Sequence, residues 1–279
     1  MRAELREKRD AFLRRIGSRP VIMGILNLTP DSFSDGGRFQ TADAAIAHAR
    51  RMAADGCDIV DVGGESTRPD ATAVSETDEL ARVEPILAEL TRLLDIPLSI
   101  DTYKAMVATR AVALGAVLIN DVWGLQKDPA MADAVGKAEA ALVIMHNRAS
   151  KDDTLDIMSD IRRFFDRSLA LAETAGIPRA RIILDPGIAF GKTARQNLDA
   201  IAGIPKLRDY GLPILVGVSR KSFLGSLVEP GREASLAGTI AANLAAAANG
   251  AAIFRVHDVA EHVAAFQVFD RLRPGRVSP

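Results

Sequence analysis

The sequence predicts a single-domain α/β protein of the (β/α)8 (TIM) barrel class. Two observations favour this fold: eight short apolar runs alternate with helical patterns along the 279 residues, and no Pro- or Gly-rich linker divides them. Continuous apolar runs are typical of parallel strands covered on both faces, and their repetition over roughly 250 residues is the pattern of a barrel. A doubly wound open sheet is the competing fold, but no Gly-x-Gly-x-x-Gly follows the first run.

The predicted elements follow from these patterns in chain order. Strands are expected at 21–27, 58–65, 98–101, 117–121, 141–146, 182–187, 214–219 and 251–257. Apolar residues at helical spacing predict helices at 41–55, 77–94, 103–114, 158–175, 235–249 and 258–272. The first twenty residues are charged throughout and have no apolar signal-peptide core. We therefore expect a short amphipathic helical extension over 1–19 and the barrel over 20–279.

Composition excludes several classes of protein. A formal net charge of −1 gives no electrostatic reason to expect nucleic acid or an anionic membrane as the partner. Cys57 is the single cysteine, which excludes an internal disulfide and fits a reducing compartment, so a cytoplasmic protein is expected. The uncharged stretch 234–254 is interrupted by Asn243 and Asn249, and we interpret it as a buried helix and strand, not a membrane span.

Every predicted strand ends in a polar or charged residue. A barrel brings the carboxyl ends of all its strands to one mouth, where its chemistry lies. A single Asp or Asn after a strand is more often a cap or turn residue, which is our interpretation of Asp121 and Asp258, but eight such endings indicate a polar funnel. In chain order they are Asn27, Asp61, Asp101, Asn120 with Asp121, His146, Asp185, Ser219 followed by Lys221, and Arg255 with His257.

Two kinds of ligand group fit these side chains. Carboxylates accept from a paired N–H edge, an amide both donates and accepts, and a lysine donates, so one set predicts a flat polar heterocycle. Its members are Asp101, Asn120, Asp185 and Lys221. Guanidinium groups and hydroxyls suit a phosphate, and that set contains Asn27, Ser66, Thr67, Arg68, Arg255 and His257. A simple ion pair for Arg255 and a satisfied imidazole for His257 are the open alternatives.

Three familiar motifs are excluded. The stretch 187–193, GIAFGKT, imitates a phosphate-binding P-loop but has three residues between its glycines where that motif has four. His146 has no partners at metal-ligand spacing, and Ser219 and Ser222 lack a nucleophile elbow. Cys57 precedes the second strand, at the end away from the mouth, and is interpreted as a small core residue.

Eight sequence blocks together resemble the dihydropteroate synthase family. They are GILNLTPDSFSDGG (24–37), DVGGESTRP (61–69), SIDTYK (99–104), IND (119–121), MH (145–146), LDPGIAFGKT (184–193), VSRKSFLG (218–225) and RVHDV (255–259), in family order. The resemblance implies a barrel that condenses 6-hydroxymethyl-7,8-dihydropterin pyrophosphate with p-aminobenzoate, giving 7,8-dihydropteroate and pyrophosphate. It also implies a homodimer and a sulfonamide target.

The resemblance implies roles for individual residues. The pterin pocket matches Asp101, Asn120, Asp185 and Lys221 at the ring edge, Met145 packed against the ring and Arg255 stacked on it. The phosphate end matches Asn27, which meets Mg²⁺ and pyrophosphate, with Arg255 and His257. The surroundings of p-aminobenzoate match Phe33, Thr67, Arg68, Pro69, Phe190, Lys221 and Ser222. Those expected to act in catalysis are Lys221, Arg255, Asp101 and Asp185. Mg²⁺ and the cations Arg68, Arg255 and His257 are expected to stabilise the departing pyrophosphate.

The turn residues of the loop 29–39 predict a lid that brings Phe33 down onto the aromatic substrate. Asp70 and Ala189 stand where many relatives have Gly, and neither removes a contact group. Two alternatives remain: a barrel methyltransferase that uses methyltetrahydrofolate, which does not need the 67–69 and 219–222 blocks, and a non-catalytic pterin-binding paralogue.

Overall fold

The computed structural model describes residues 1–29, 38–66, 72–229 and 235–272, in which eight parallel strands alternate with helices. The strands are β1 (Val21–Asn27), β2 (Ile59–Gly63), β3 (Leu98–Asp101), β4 (Ala116–Asp121), β5 (Ala141–Met145), β6 (Ile182–Asp185), β7 (Leu215–Val216) and β8 (Ile253–Val256). The α-helices are α1 (Ala3–Arg15), α2 (Arg38–Ala54), α3 (Glu76–Leu93), α4 (Ala105–Leu114), α5 (Met131–Ala138), α6 (Ile157–Thr174), α7 (Ala194–Ala202), α8 (Ser235–Ala248) and α9 (Val259–Leu272). Short 3₁₀ helices cover Arg179–Arg181, Ile204–Tyr210 and Ser222–Leu227.

The sheet order confirms the barrel and excludes the doubly wound alternative. Neighbouring strands follow the order β6-β5-β4-β3-β2-β1-β8-β7. A parallel bridge between Leu184 and Ile214 joins β6 to the β7 segment and brings the two edges of the sheet together. All eight carboxyl ends therefore lie at one rim, as the sequence predicts.

Differences from the predicted elements have local causes. β6 stops at Asp185, two residues earlier than predicted, because Pro186 follows and Gly187 adopts a left-handed φ of +65°. The helices α5 and α7 were not predicted, since eight and nine residues are too few for a clear helical period. The capping box of Thr193 and Gln196 at the start of α7 is a signal that could have found it.

A layer of apolar side chains fills the lower half of the barrel. Its strand residues are Val21, Met23, Ile59, Leu118, Ala141, Val143, Ile183, Leu215 and Ile253. Phe12 of α1 packs against the same layer, so the amino-terminal helix closes the floor. Asp58, just before β2, accepts hydrogen bonds from Arg15 at 2.8 Å and Arg19 at 2.5 Å, which ties the helix and its connection to the barrel. The division into an extension over 1–19 and a barrel over 20–279 stays a prediction.

The outer faces of the strands pack against the helices. Cys57 is 4% exposed within this outer core, and burial raises the pKa of its thiol to about 12, as expected for a structural cysteine. Within the described ranges, no helix combines the length and apolar character that crossing a membrane requires.

Candidate active site

The candidate site lies directly above the apolar floor of the barrel. Side chains two residues apart on a strand face the same side, so each inward-facing floor residue predicts an inward-facing residue one step nearer the mouth. Four strands place a polar group there: Ile59 is followed by Asp61, Leu118 by Asn120 and Ile183 by Asp185, all buried, and Ile253 by the partly buried Arg255. The same alternation brings Met145, which is 3% exposed, inward from β5 above Val143.

Arg255 joins three strands at the centre of the mouth. Its Nε donates to Asp61 Oδ2 at 2.6 Å and its Nη2 to Asp101 Oδ2 at 2.7 Å. Asn120 Nδ2 also donates to Asp61 Oδ2, at 2.9 Å. The ion pair left open by the sequence is therefore present, but its partners are themselves residues of the mouth. Asp61 is the shared acceptor of this network, a part that the sequence analysis did not assign to it.

Three buried oxygens in this network have no hydrogen-bond partner within the described part of the chain. They are Asp61 Oδ1, Asp101 Oδ1 and Asn120 Oδ1. Buried acceptors are costly to leave unpaired and are normally satisfied by protein, water or ligand. The mouth therefore presents acceptors suited to a ligand with several N–H groups.

Asp101, Asp185 and Lys221 lie close enough to influence one another's charge. Burial raises the pKa of Asp101 to about 7, with Arg255 and Lys221 opposing the shift. Burial raises the pKa of Asp185 to about 6; the Gly187 N–H, 2.7 Å from Asp185 Oδ1, opposes that shift, as does the charge of Lys221. These carboxyls and this ammonium group thus share one electrostatic environment, as predicted from their positions after β3, β6 and β7.

Burial favours the neutral form of His257 in this structure, and its expected role as a cation at the phosphate end stays a prediction. Burial lowers the pKa of His257 to about 4, and the positive charges of Arg255 and Arg220 act in the same direction. Ser219 Oγ lies 2.9 Å from His257 Nδ1 and accepts from the backbone N–H of His257 at 3.1 Å. When the Ser219 hydroxyl donates to Nδ1, the neutral imidazole carries its proton on Nε2 and can donate from there.

The remaining predicted residues on described segments lie around this cluster. Lys221 Nζ lies 4.6 Å from the centre of the Phe190 ring, a cation–π contact between the loops after β7 and β6. Ser222 is the first residue of the 3₁₀ helix 222–227. A Cβ on Gly63 would lie 3.6 Å from Asn27 Oδ1 and 3.7 Å from Asp101 Oδ2, so these two oxygens flank the same glycine.

Five residues of interest lie outside the described residues. They are Phe33, Thr67, Arg68, Pro69 and Asp70. The predicted lid over 29–39 also falls largely there. Their roles stay predictions.

A buried ion-pair cluster supports the start of the loop after β2. Lys104 Nζ pairs with Glu65 and lies 2.6 Å from Glu79 Oε2. The Tyr103 hydroxyl donates to the same Glu65 carboxylate at 3.2 Å. Glu65 lies two residues before the Thr67-Arg68-Pro69 segment. Neither Lys104, within the SIDTYK block, nor Glu79 was predicted from the sequence to have a role in the site.

Asp121 behaves as the sequence predicts, whereas the Asp258 side chain binds an arginine. Asp121 accepts the backbone N–H of Trp123 at 2.9 Å and of Leu125 at 2.6 Å, which makes it a turn residue. Asp258 directly precedes α9 and forms an ion pair with Arg220 of the 219–222 block. This pair holds the Arg220 side chain beside the start of α9.

Fold and site together define a (β/α)8-barrel enzyme with a buried, charged, acceptor-rich mouth. The family model for pterin binding enzymes matches residues 23–257. The dihydropteroate synthase of Clostridium beijerinckii is 46% identical over 256 residues, covering 91% of this chain and 95% of that protein. The chain belongs to the pterin binding enzymes and, within them, to the dihydropteroate synthase family.

Solved structures agree with this membership. A dihydropteroate synthase from Clostridium difficile, crystallised in the presence of pteroic acid, superposes with a TM-score of 0.88 at 48% identity, covering 92% of this chain and 98% of that one. The enzyme from Xanthomonas albilineans was solved with 4-aminobenzoic acid, with a TM-score of 0.87, 44% identity and 94% of both chains covered. It was also solved with 7,8-dihydropteroate, with a TM-score of 0.83, 42% identity and 94% and 95% covered.

Proposed function

We propose that this chain is a dihydropteroate synthase, which joins 6-hydroxymethyl-7,8-dihydropterin pyrophosphate to p-aminobenzoate. Family membership and relatives at 40–46% identity over most of the chain support the activity. The observation in the structure that supports it most is a group of buried oxygens on Asp61, Asp101 and Asn120, beside Arg255, that have no partner among the described residues. A pterin edge has the N–H groups that such acceptors require.

In this proposal the protein acts mainly by holding two substrates in register. Asp101, Asn120 and Asp185 accept from the pterin edge, Lys221 donates to it, and Met145 and Arg255 cover its faces. The amine nitrogen of p-aminobenzoate forms a bond to the pterin methylene carbon, and the C–O bond to pyrophosphate breaks. The electron pair leaves with pyrophosphate and the amine proton passes to solvent, so that orientation and electrostatics suffice.

Charge that develops on pyrophosphate needs donors at the phosphate end. Arg255 and Arg68 supply charged donors in the proposal, and His257 supplies a neutral Nε2–H. Phe33, Thr67, Pro69, Phe190 and Ser222 are proposed to surround p-aminobenzoate together with Lys221.

Mg²⁺ is the proposed cofactor, with Asn27 as its protein ligand. Asn27 Oδ1 and Asp101 Oδ2 flank Gly63, and oxygen donors of this kind fit a hard divalent cation. Among the described residues no group of three or more His, Cys, Asp or Glu could hold a metal alone. A site with so few protein oxygens suits Mg²⁺, which usually keeps waters and phosphate oxygens as further ligands. When bound, the ion would neutralise charge on the leaving pyrophosphate.

The proposal includes a cytoplasmic homodimer that sulfonamides inhibit in competition with p-aminobenzoate. It is supported by family membership and by the reducing environment that a single buried thiol fits. Light scattering on the purified chain should give twice the monomer mass, and a monomer mass would reject the dimer.

The deciding experiment supplies the purified chain with the dihydropterin pyrophosphate ester, p-aminobenzoate and Mg²⁺ and measures dihydropteroate. Product formation that stops on chelation of Mg²⁺ is expected. A chain that binds the ester without turnover would be the non-catalytic paralogue. Methyl transfer from methyltetrahydrofolate to a corrinoid protein, with no dihydropteroate formed, would identify the methyltransferase alternative.

A further inference from the structure

Lys192, in the stretch that imitates a P-loop, is a buried lysine with no place in the proposed chemistry. It is 2% exposed. Its Nζ lies 2.7 Å from His146 Nδ1, 2.7 Å from Gly187 O and 3.2 Å from Phe190 O. An ammonium group has three donors, and here each has an acceptor. All three acceptors are neutral, so the lysine acts as a hydrogen-bonding centre and not as one half of a direct ion pair.

His146 is fixed as an acceptor for this lysine. Its Nε2 lies 3.2 Å from Asp160 Oδ2, and Asp160 also receives Arg148 Nη1 at 2.6 Å. Burial lowers the pKa of His146 to about 3, and the charge of Lys192 acts in the same direction, so the imidazole is neutral. A neutral ring that donates from Nε2 to the carboxylate must present Nδ1 as a lone pair.

The two carbonyls that Lys192 binds belong to the loop between β6 and α7. The Gly187 N–H donates to Asp185 Oδ1 at 2.7 Å and the Gly187 carbonyl accepts from Lys192, so one residue connects the lysine to a predicted pterin contact. A Cβ on Gly187 would lie 1.8 Å from His146 O, and the loop therefore passes against β5 without space to spare. Phe190, at the other end, carries the ring that faces Lys221.

We propose that Lys192 is a positioning residue that holds the 187–190 loop so that Phe190 meets Lys221 and forms the wall of the p-aminobenzoate site. This inference rests on the proposed function. Asp185 is affected by the charge of Lys192 and by the Gly187 N–H, but Asp101 and Asn120 lie on strands whose backbone pairing does not depend on Lys192. Loss of the lysine is therefore felt chiefly by p-aminobenzoate and less by the pterin.

The proton on Lys192 matters because only the ammonium form can donate to three acceptors. Burial lowers the pKa of Lys192 to about 7, with Arg148 acting in the same direction and Asp185 and Asp160 opposing it. These three, together with His146, are the titratable or charged groups from β5, β6 and α6 and their loops that act on it within the described chain. The wall should therefore loosen as pH rises above about 7.

The test compares Lys192→Met with two controls after wild-type turnover has been established. Lys137→Met replaces an exposed lysine, and Phe12→Ala removes a side chain from the barrel floor and so lowers stability alone. Lys192→Met should raise the KM for p-aminobenzoate about tenfold and change the calorimetric Kd for the dihydropterin pyrophosphate ester less than threefold. The KM of Lys192→Met for p-aminobenzoate should stay constant between pH 6.5 and 8.5, a range over which the wild-type KM is expected to rise. Both controls should keep wild-type KM values.

A second pair of variants keeps the test decisive if Lys192→Met does not fold. His146→Leu removes the acceptor and should reproduce the KM effect. His146→Asn restores an acceptor oxygen near the Nδ1 position and should recover most of the wild-type KM.

Two outcomes would overturn the proposal. One is a Lys192→Met variant with unchanged KM values and a lowered kcat. That pattern would show only a loss of active protein, as a less stable variant such as Phe12→Ala would give. The other is equal effects of Leu and Asn at position 146. A crystal structure of Lys192→Met gives an answer independent of turnover, since the Phe190–Lys221 distance of 4.6 Å should increase. An inactive wild type would reject the proposed function and leave that structural comparison valid.

Discussion

At the residue scale, Arg255 is held between two buried carboxylates, Asp61 and Asp101. The two carboxyl groups carry more acceptor oxygens than one guanidinium group uses, which favours a ligand rich in N–H donors. Removing one partner of a buried charged pair is costly because the other is left uncompensated. Asp61 Oδ2 determines where Arg255 points, and Asp61 Oδ1 is one of the buried acceptors that face the mouth.

Asp61→Asn should lower kcat/KM for the pterin substrate about 10- to 100-fold, since a hydrogen bond to a charged group contributes about 1.5–3 kcal/mol. The matched control is Asp58→Asn, because Asp58 also forms ion pairs with arginines, Arg15 and Arg19, but lies at the floor end of the barrel. The control should lose stability and keep kcat/KM. Equal losses of kcat/KM in the two variants would show that Asp61 has no specific effect on Arg255.

At the element scale, strands are where the sequence was most informative. The runs 21–27 and 98–101 were predicted to the residue. The end of β5 differs from the predicted polar funnel, because His146 binds Asp160 of α6 and Lys192. What could not be predicted depends on contacts between distant segments, such as Lys192 bound to His146, 46 residues away in sequence. A lysine in a rejected motif gives no local sign that it is buried. The same holds for Asp61, whose partner Arg255 is 194 residues away.

Helix α1 gives a prediction at this scale, because its Phe12 packs in the apolar floor of the barrel, below the mouth. Phe12→Ala should lower the free energy of unfolding by about 3–5 kcal/mol and Tm by roughly 10 °C. The KM values below the new Tm should not change. Val268→Ala, on an exposed position of α9, is the control and should change stability by less than about 0.5 kcal/mol. A changed KM in Phe12→Ala would show that the floor influences the site.

At the scale of the whole molecule, the barrel separates stability from activity. Apolar residues fill the floor, while the mouth contains buried carboxylates whose pKa values are raised, to about 7 for Asp101 and about 6 for Asp185. Burying these ionised groups lowers the free energy of unfolding. The chain is less stable because it keeps these acceptors available for a ligand. Proteins commonly show this trade-off between stability and activity.

The trade-off predicts a pH dependence that Asp185→Asn should remove. The pKa of Asp185 is raised from 3.8 to about 6, so the folded chain binds this proton more tightly than the unfolded chain. The stability that it contributes is complete below about pH 4 and is lost as pH rises through about 6. Asparagine keeps an acceptor for Gly187 and carries no charge. The variant's Tm should therefore exceed the wild-type Tm by a margin that grows from pH 4 to pH 7; a shrinking margin would mean that the pKa is lowered.

The central claim is that the buried acceptors of the mouth bind the pterin ring. A crystal structure of this chain with 7,8-dihydropteroate tests it most directly. The account predicts that N–H groups of the pterin lie about 3 Å from oxygens of Asp101, Asn120 and Asp185, with Lys221 on the same ring edge. A pterin bound elsewhere, or bound in the mouth with these three side chains unpaired, would contradict it.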